Sequence, residues 1–262
     1  TLLPAEWTST PWHPLLACAL FIVPGVPLIN FVDDMLDNYI QVGIVRAVNT
    51  LLMVAAMAFG IAFAVKLCHI ENFFPTISMV PHHQYWEYAI AAAISAMGFS
   101  MIFNIQRRLL WVVAIGGIIA VCTRNFVNLG PSTDNIGLDM GLVIGSFSGA
   151  VLVSLIAIKA VHWFHVPNHV LTIPSVIPMI PGVLMYRMLF GIININVQSI
   201  DQVTPLMKAI ESGVNSGLVI MCIALGVAIP NIFGRRFIAS SKNKRLAELL
   251  KERKARGKFV EW

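Results

Sequence analysis

Long apolar runs separated by short polar or proline-bearing links set the pattern of this chain. About 20 apolar residues cross a bilayer's hydrocarbon layer as a helix. Seven such runs are legible, near residues 14–30, 46–67, 86–103, 109–123, 140–161, 171–193 and 213–233. The fourth is short, pinned between Arg108 and Arg124. The ten-residue alternating segments of an outer-membrane barrel are absent. The pattern predicts an all-α integral membrane protein of about seven transmembrane helices.

Two of the runs carry a Pro-Gly break, Val23-Pro24-Gly25-Val26-Pro27 and Ile180-Pro181-Gly182-Val183-Leu184. One helix later each is followed by a second shared signature: Asn49-Thr50 with Gly60-Ile61-Ala62, and Asn215-Ser216 with Gly226-Val227-Ala228. Asn to Gly is eleven residues in both. Five crossings separate corresponding spans, an odd number, so the copies run in opposite directions. Interrupted helices at matching places in an inverted repeat point to a transporter's substrate site. Proline removes a backbone hydrogen bond and clashes with the preceding turn, and glycine lifts the steric bar to an unwound backbone. Backbone groups freed this way are tolerated in a bilayer only when buried in protein or lining a cavity. A packing kink explains one such break; a repeated pair favours transport.

Composition agrees with the pattern. The 262 residues are 57% hydrophobic and 12% charged, about half the roughly 25% charged fraction of soluble domains. Net charge is +5, and ten of the 18 Lys and Arg lie between Arg235 and Lys258. A basic segment after the last span marks the cytoplasmic side. Threading back from it places 14 cations inside, against Lys66, Arg124 and Lys208 outside, with Arg187 within a span. The chain thus divides into residues 1–75, the last two helices of a first domain; a connecting loop at 76–84; a five-helix second domain at 85–234; and a basic cytoplasmic tail at 235–262, helical over Asn243 to Ala255. A five-plus-five design needs three further spans before residue 1, so a longer chain or a partner chain is expected to supply them. The tail suits anionic lipid headgroups and lacks the aromatic reading surface of a nucleic-acid binder.

Candidate chemistry gathers at the breaks. Asp33, Asp34 and Asp37 follow the first break, and Arg46 opens the next helix. A carboxylate at the membrane edge could carry a coupling proton, and Asp34, one helical spacing beyond Asn30, is the first choice, with Asp33 beside it. Three acids in a solvated loop are the plainer alternative. Arg187, five residues past Gly182, pairs with an acid, binds an anionic substrate group or snorkels to the interface. Asn49, Asn215 and Ser216 suit substrate contact and helix–helix hydrogen bonding about equally. Gly141, Gly145 and Gly149 form a double GxxxG that implies close packing against a neighbour, within the chain or across a dimer. His162, His165 and His169 do not make a metal site, because Pro167 breaks their helix and no acid or cysteine completes the set. Cys18, Cys68, Cys122 and Cys222 read as small packing residues. No cofactor is implied, and no paired nucleophile and base suggests an enzyme.

Three segments resemble a known family. Phe21-Ile22-Val23-Pro24-Gly25-Val26-Pro27-Leu28-Ile29-Asn30 resembles the end of the first domain of the threonine/serine exporter family. Phe99-Ser100-Met101-Ile102-Phe103-Asn104, with Arg108 and Trp111 following, resembles the start of that family's second domain. Ser175-Val176-Ile177-Pro178-Met179-Ile180-Pro181-Gly182, with Tyr186 after it, resembles its second Pro-Gly motif. The resemblance implies a bacterial inner-membrane exporter of small hydroxy amino acids, driven by the proton gradient. Dicarboxylate export by some split members is the alternative substrate it implies, and an accessory subunit that no longer transports is the other alternative. The expected substrate contacts are Pro24, Gly25, Pro27, Asn30, Asn49, Pro181, Gly182, Tyr186, Arg187, Asn215 and Ser216. The expected partners are a small amino acid or carboxylate, protons, membrane lipids, and a second copy or partner chain.

Overall fold

The computed structural model describes residues 25–67, 84–131, 136–164, 166–193 and 203–255. Pro24 and nearly all of the link between the two halves lie outside these residues. Regular structure among the described residues is helical throughout. The helices are α1 (Gly25–Leu36), α2 (Ile40–Leu67), α3 (Tyr85–Ile102), α4 (Leu110–Asn128), α5 (Leu142–Phe164), α6 (Asn168–Val176), α7 (Gly182–Ile193) and α8 (Val203–Ala255).

Four windows in these helices are long and apolar enough to cross a membrane: Ile40–Met57, Arg107–Asn128, Leu142–Val161 and Leu206–Gly234. A fifth is the bent pair Asn168–Met179 and Gly182–Met188, whose halves meet at 53°. The expected first span is described only from Gly25 onward. The expected third span is the 18-residue α3, whose polar first turn, Tyr85-Trp86-Glu87-Tyr88, dilutes its apolar character. That turn is held by a capping box between Gln84 and Glu87, which satisfies backbone N–H groups that no preceding turn can reach.

The fourth helix is longer than the apolar run suggests. It continues past Arg124 to Asn128, so Arg124 lies inside the helix instead of flanking it. The helix's last carbonyls are then taken up by a returning loop. Leu138, Asp139 and Met140 donate their N–H groups to the carbonyls of Phe126, Leu129 and Val127. Tyr85 fastens the loop from the other side, its hydroxyl donating to the Ile136 carbonyl at 2.6 Å.

Packing places α8 at the centre and α2 at the edge. The Leu206–Gly234 window is 56% buried, the Ile40–Met57 window only 17%. α8 packs on α1, α5 and α7, and α4 packs on α3, α5 and α6. Leu51, Phe63, Ile94 and Trp163 are among the many large apolar side chains on the outside, the surface that faces acyl chains in a bilayer-spanning bundle. The expected double GxxxG resolves into two different devices. Gly145 and Gly149 bring α5 onto α4, where a Cβ on either would lie 2.6 Å from a backbone carbonyl, of Arg124 and Ala120 respectively. Gly141 instead holds a positive φ of 87° just before the helix, a conformation favourable only to glycine. The close partner of this stripe is thus within the chain.

The two copies of the Gly-x-Ala signature differ in surroundings. A Cβ on Gly226 would sit 2.8 Å from the Ala150 Cβ and 2.9 Å from the Phe147 carbonyl, whereas one on Gly60 meets nothing within 4 Å. Gly226→Val therefore overpacks a backbone contact, a defect that costs about 1–3 kcal/mol, while Gly60→Val costs nothing by contact. The thermal midpoint of the detergent-solubilised protein is expected to fall for Gly226→Val and to hold for Gly60→Val. Equal midpoints would contradict the packing assigned to α8.

Candidate substrate site at the paired breaks

The second break joins two short helices that meet at 53°. From Asn168 the chain rises through α6, with Pro167 at its N-cap and Pro174 within it. A 3-10 turn, Ile177–Met179, then tightens the helix, and Ile180 is extended, with ψ at 128°. α7 starts afresh at Gly182. Each half is 12 residues, about 18 Å at 1.5 Å per residue, so neither half alone is long enough for a 30 Å hydrocarbon layer. Local turns repair part of the lost backbone bonding: Ile180 N–H donates to the Ile177 carbonyl, and Gly182 N–H to the Ile180 carbonyl.

The start of α1 lies beside this break. α1, like α7, is a 12-residue helix that begins at the glycine of a Pro-Gly pair. Gly25 is buried, and a Cβ there would lie 2.5 Å from Ile180 Cδ1, with Ile177 at 3.7 Å. Absence of a side chain at Gly25 is what lets the start of α1 approach the turn at residues 177–180.

Arg124 completes the arrangement. The close α4–α5 packing at Gly145 and Gly149, with a Cβ on Gly149 only 3.0 Å from Met179 Sδ, carries Arg124 to the break. Its Nη1 donates to the Met179 carbonyl at 3.5 Å, and its Nε and Nη2 donate to Asn125 Oδ1 at 3.3 and 3.2 Å. These bonds engage three of the five N–H donors of a guanidinium. Two remain for a further acceptor among the described contacts, and a carboxylate fits that fork.

Two buried hydroxyls stand nearby without partners. Ser146 Oγ and Ser216 Oγ have none among the described residues, although a buried polar group normally finds one. Ser146 lies one turn before Gly149, whose face touches Met179. Ser216 lies one turn before Ile220, which packs with Leu28 of α1 and Met185 of α7. Both hydroxyls are thus within a helical turn of side chains that line the breaks.

The other expected residues fall into place as follows. Pro181, Gly182 and Tyr186 are buried, and Pro27, Asn30, Arg187 and Asn215 are half-buried. Asn49 is exposed on the outer face of α2, while its neighbour Thr50 is buried, its hydroxyl donating to the Arg46 carbonyl at 2.7 Å. In the second copy too the hydroxyl residue, Ser216, is the buried member of the pair. Consecutive helical residues point about 100° apart, so only one of each pair turns inward. Asp34 accepts a 2.6 Å bond from Arg46, an ion pair that joins α1 to α2 across the turn, and Asp33 lies half-buried beside it. Arg124, Asn125 and Ser146 are the members of this neighbourhood that patterning alone did not assign to the site.

Comparison with known proteins follows the same lines. Residues 3–68 match a family described as "Putative threonine/serine exporter". Residues 88–233, more than half the chain, match one described as "Threonine/Serine exporter, ThrE". No solved structure matches. With its long apolar helices and both family matches, the chain is a multi-pass membrane protein that belongs to the threonine/serine exporter family.

Proposed function

We propose that the chain is a secondary active exporter of a small hydroxy amino acid such as threonine or serine, working by alternating access around its two Pro-Gly breaks in exchange for protons. The observation that carries this reading is the Arg124 guanidinium bonded to the carbonyl of Met179 at the second break. It offers fixed positive charge inside the apolar window Arg107–Asn128, where a free amino acid's carboxylate would otherwise lose its hydration. The unpartnered hydroxyls of Ser146 and Ser216 suit the substrate's ammonium and hydroxyl groups. Packing supports the inverted repeat: α1 lies on α8 while α2 lies on α7, the crosswise contact that a two-fold relation between α1–α2 and α7–α8 would produce. On this reading residues 1–75 close a first domain, residues 85–234 form the second, and the basic tail lies in the cytoplasm beneath an inner membrane.

Asp34 is assigned the coupling proton. Protonating its carboxyl would release Arg46 and loosen the joint between α1, which begins at the first break, and α2. A second guanidinium on α7, Arg187, favours dicarboxylate as the second reading of the substrate.

The deciding experiment is flux in proteoliposomes with labelled threonine, serine and succinate, with and without a pH gradient. Threonine and serine are expected to move, and an inwardly directed proton gradient is expected to accelerate their efflux. Asp34→Asn should keep downhill threonine flux and lose that acceleration. Succinate flux alone would move the assignment to dicarboxylates, and no flux of any of the three would overturn transport by this chain.

A further inference from the structure

A cavity of about 280 Å³ lies on the outer side of α4 and α5. Trp111 and Ile115 form one wall, Ile156, Lys159 and Trp163 the other, and Ser175 of α6 lies at its floor. Its mouth opens sideways: Trp163 is 81% exposed and Trp111 56%. Both α4 and α5 are of membrane-spanning grade, so what borders this opening is the acyl-chain layer.

The groove is polarised along its length. At one end stand Trp111 and Trp163, with Phe164 edge-on to Trp111 at 5.8 Å between ring centroids. Lys159 shares a helix face with Trp163, four residues on, and the exposed Arg107 and Arg108 lie one turn before Trp111. Indoles and cations together mark the level of lipid headgroups, and long cationic side chains reach that level from below. The other end, at Ile119 and Val153, is apolar, and the lining carries no acid. From Trp111 to Ile119 the groove follows α4 for about 12 Å. Cations at one end and hydrocarbon at the other are complementary to an anionic amphiphile lying along the helices. A helix from a second copy would be complementary to the apolar walls alone and would leave the cations at the mouth without a purpose.

We infer that this groove is a binding site for one acyl chain of an anionic phospholipid, with its headgroup held by Lys159, Arg107 and Arg108. The occupant would rest against the first half of the broken span. Ser175 ties that half to α4, its single hydroxyl hydrogen shared between the Leu171 carbonyl of its own helix at 2.7 Å and the Val113 carbonyl of α4 at 3.3 Å. Lipid in the groove therefore buttresses α6 just below the break. Binding itself does not depend on the transport reading.

The test uses the full chain in nanodiscs with phosphatidylglycerol bearing a photoactivatable diazirine on one acyl chain, and the same label on phosphatidylcholine as reference. Peptides carrying Ile115, Ile156 and Trp163 are expected to be labelled several-fold more by phosphatidylglycerol than by phosphatidylcholine. Lys159→Gln should bring the two to the same level, and Ile156→Trp, which fills the groove, should cut both several-fold; unchanged insertion and elution volume keep these variants interpretable. Equal labelling by both lipids in the unmodified protein overturns the assignment, as does labelling of the groove no stronger than that of Leu51 and Phe63 on the outer face of α2. A disulfide formed between two copies of Trp163→Cys, together with absent lipid labelling, would give the groove to a second copy instead.

Discussion

Arg124→Gln is expected to lower threonine efflux at low substrate concentration by about 10- to 100-fold, the range set by losing a charged hydrogen bond of about 1.5–3 kcal/mol. The guanidinium has two tasks in the structure, and they are separable. It caps the Met179 carbonyl and is itself held by Asn125, a structural task that lysine can partly take over. It also presents the charge for a substrate carboxylate, where lysine supplies a point charge without the planar fork. Arg124→Lys should therefore fold normally and transport at an intermediate rate. Ethanolamine, which keeps the ammonium and hydroxyl but has no carboxylate, should have the same inhibition constant against threonine efflux in Arg124→Gln and in the unmodified protein. Measured KM values for threonine that are the same with arginine and glutamine at 124 would remove this residue from the site.

Gly25→Leu is expected to reduce efflux to less than a tenth while the protein still inserts. A Cβ at this position already meets Ile180 Cδ1 at 2.5 Å. The atom it meets is the tip of a side chain that can turn aside, so Gly25→Ala should retain most of the activity. Leucine extends further, toward Ile177, and pushes α1 away from the second break. Adding Ile180→Ala to Gly25→Leu makes room and should recover part of the flux. Equal loss with and without Ile180→Ala would mean that this contact is not the cause. Gly182→Leu, buried where α7 restarts, is expected to abolish efflux as well, and normal efflux from both leucine variants would sink the role assigned to the breaks.

The break at Pro181-Gly182 and the helix start at Gly25 were legible from residue type alone, because proline and glycine act on the backbone wherever they occur. The helix stop before Pro167 and the tail helix ending at Ala255 were legible for the same reason, from local chemistry. Arg124 was hidden by that same kind of reasoning. A charge in a hydropathy profile looks like a membrane boundary, and only the packing of α4 on α5 through Gly145 and Gly149 shows that the helix carries it inward. Asn49 illustrates a second limit. The Asn-Thr and Asn-Ser pairs stand out as polar dipeptides in apolar helices, but which member faces the core depends on helix rotation, and rotation is set by neighbours far away in sequence. Ser146 gave no sign at all, since a lone serine in an apolar helix is ordinary until its surroundings prove to hold no acceptor.

α8 is one unbroken helix of 53 residues, from Val203 to Ala255, about 80 Å long at 1.5 Å per residue. Its membrane portion leans on α1 and α7, the two helices that begin at the breaks. The portion beyond Gly234 projects a further 30 Å or so. Geometry makes this shaft a pointer: a tilt of about 5° at its base displaces the far end by nearly 3 Å, on the order of two residues of helical rise. Pro230 lies inside the helix near the end of its membrane portion without interrupting it. Distance measurements from a label near Ala255 would then read, outside the bilayer, the angle at which the helix stands within it.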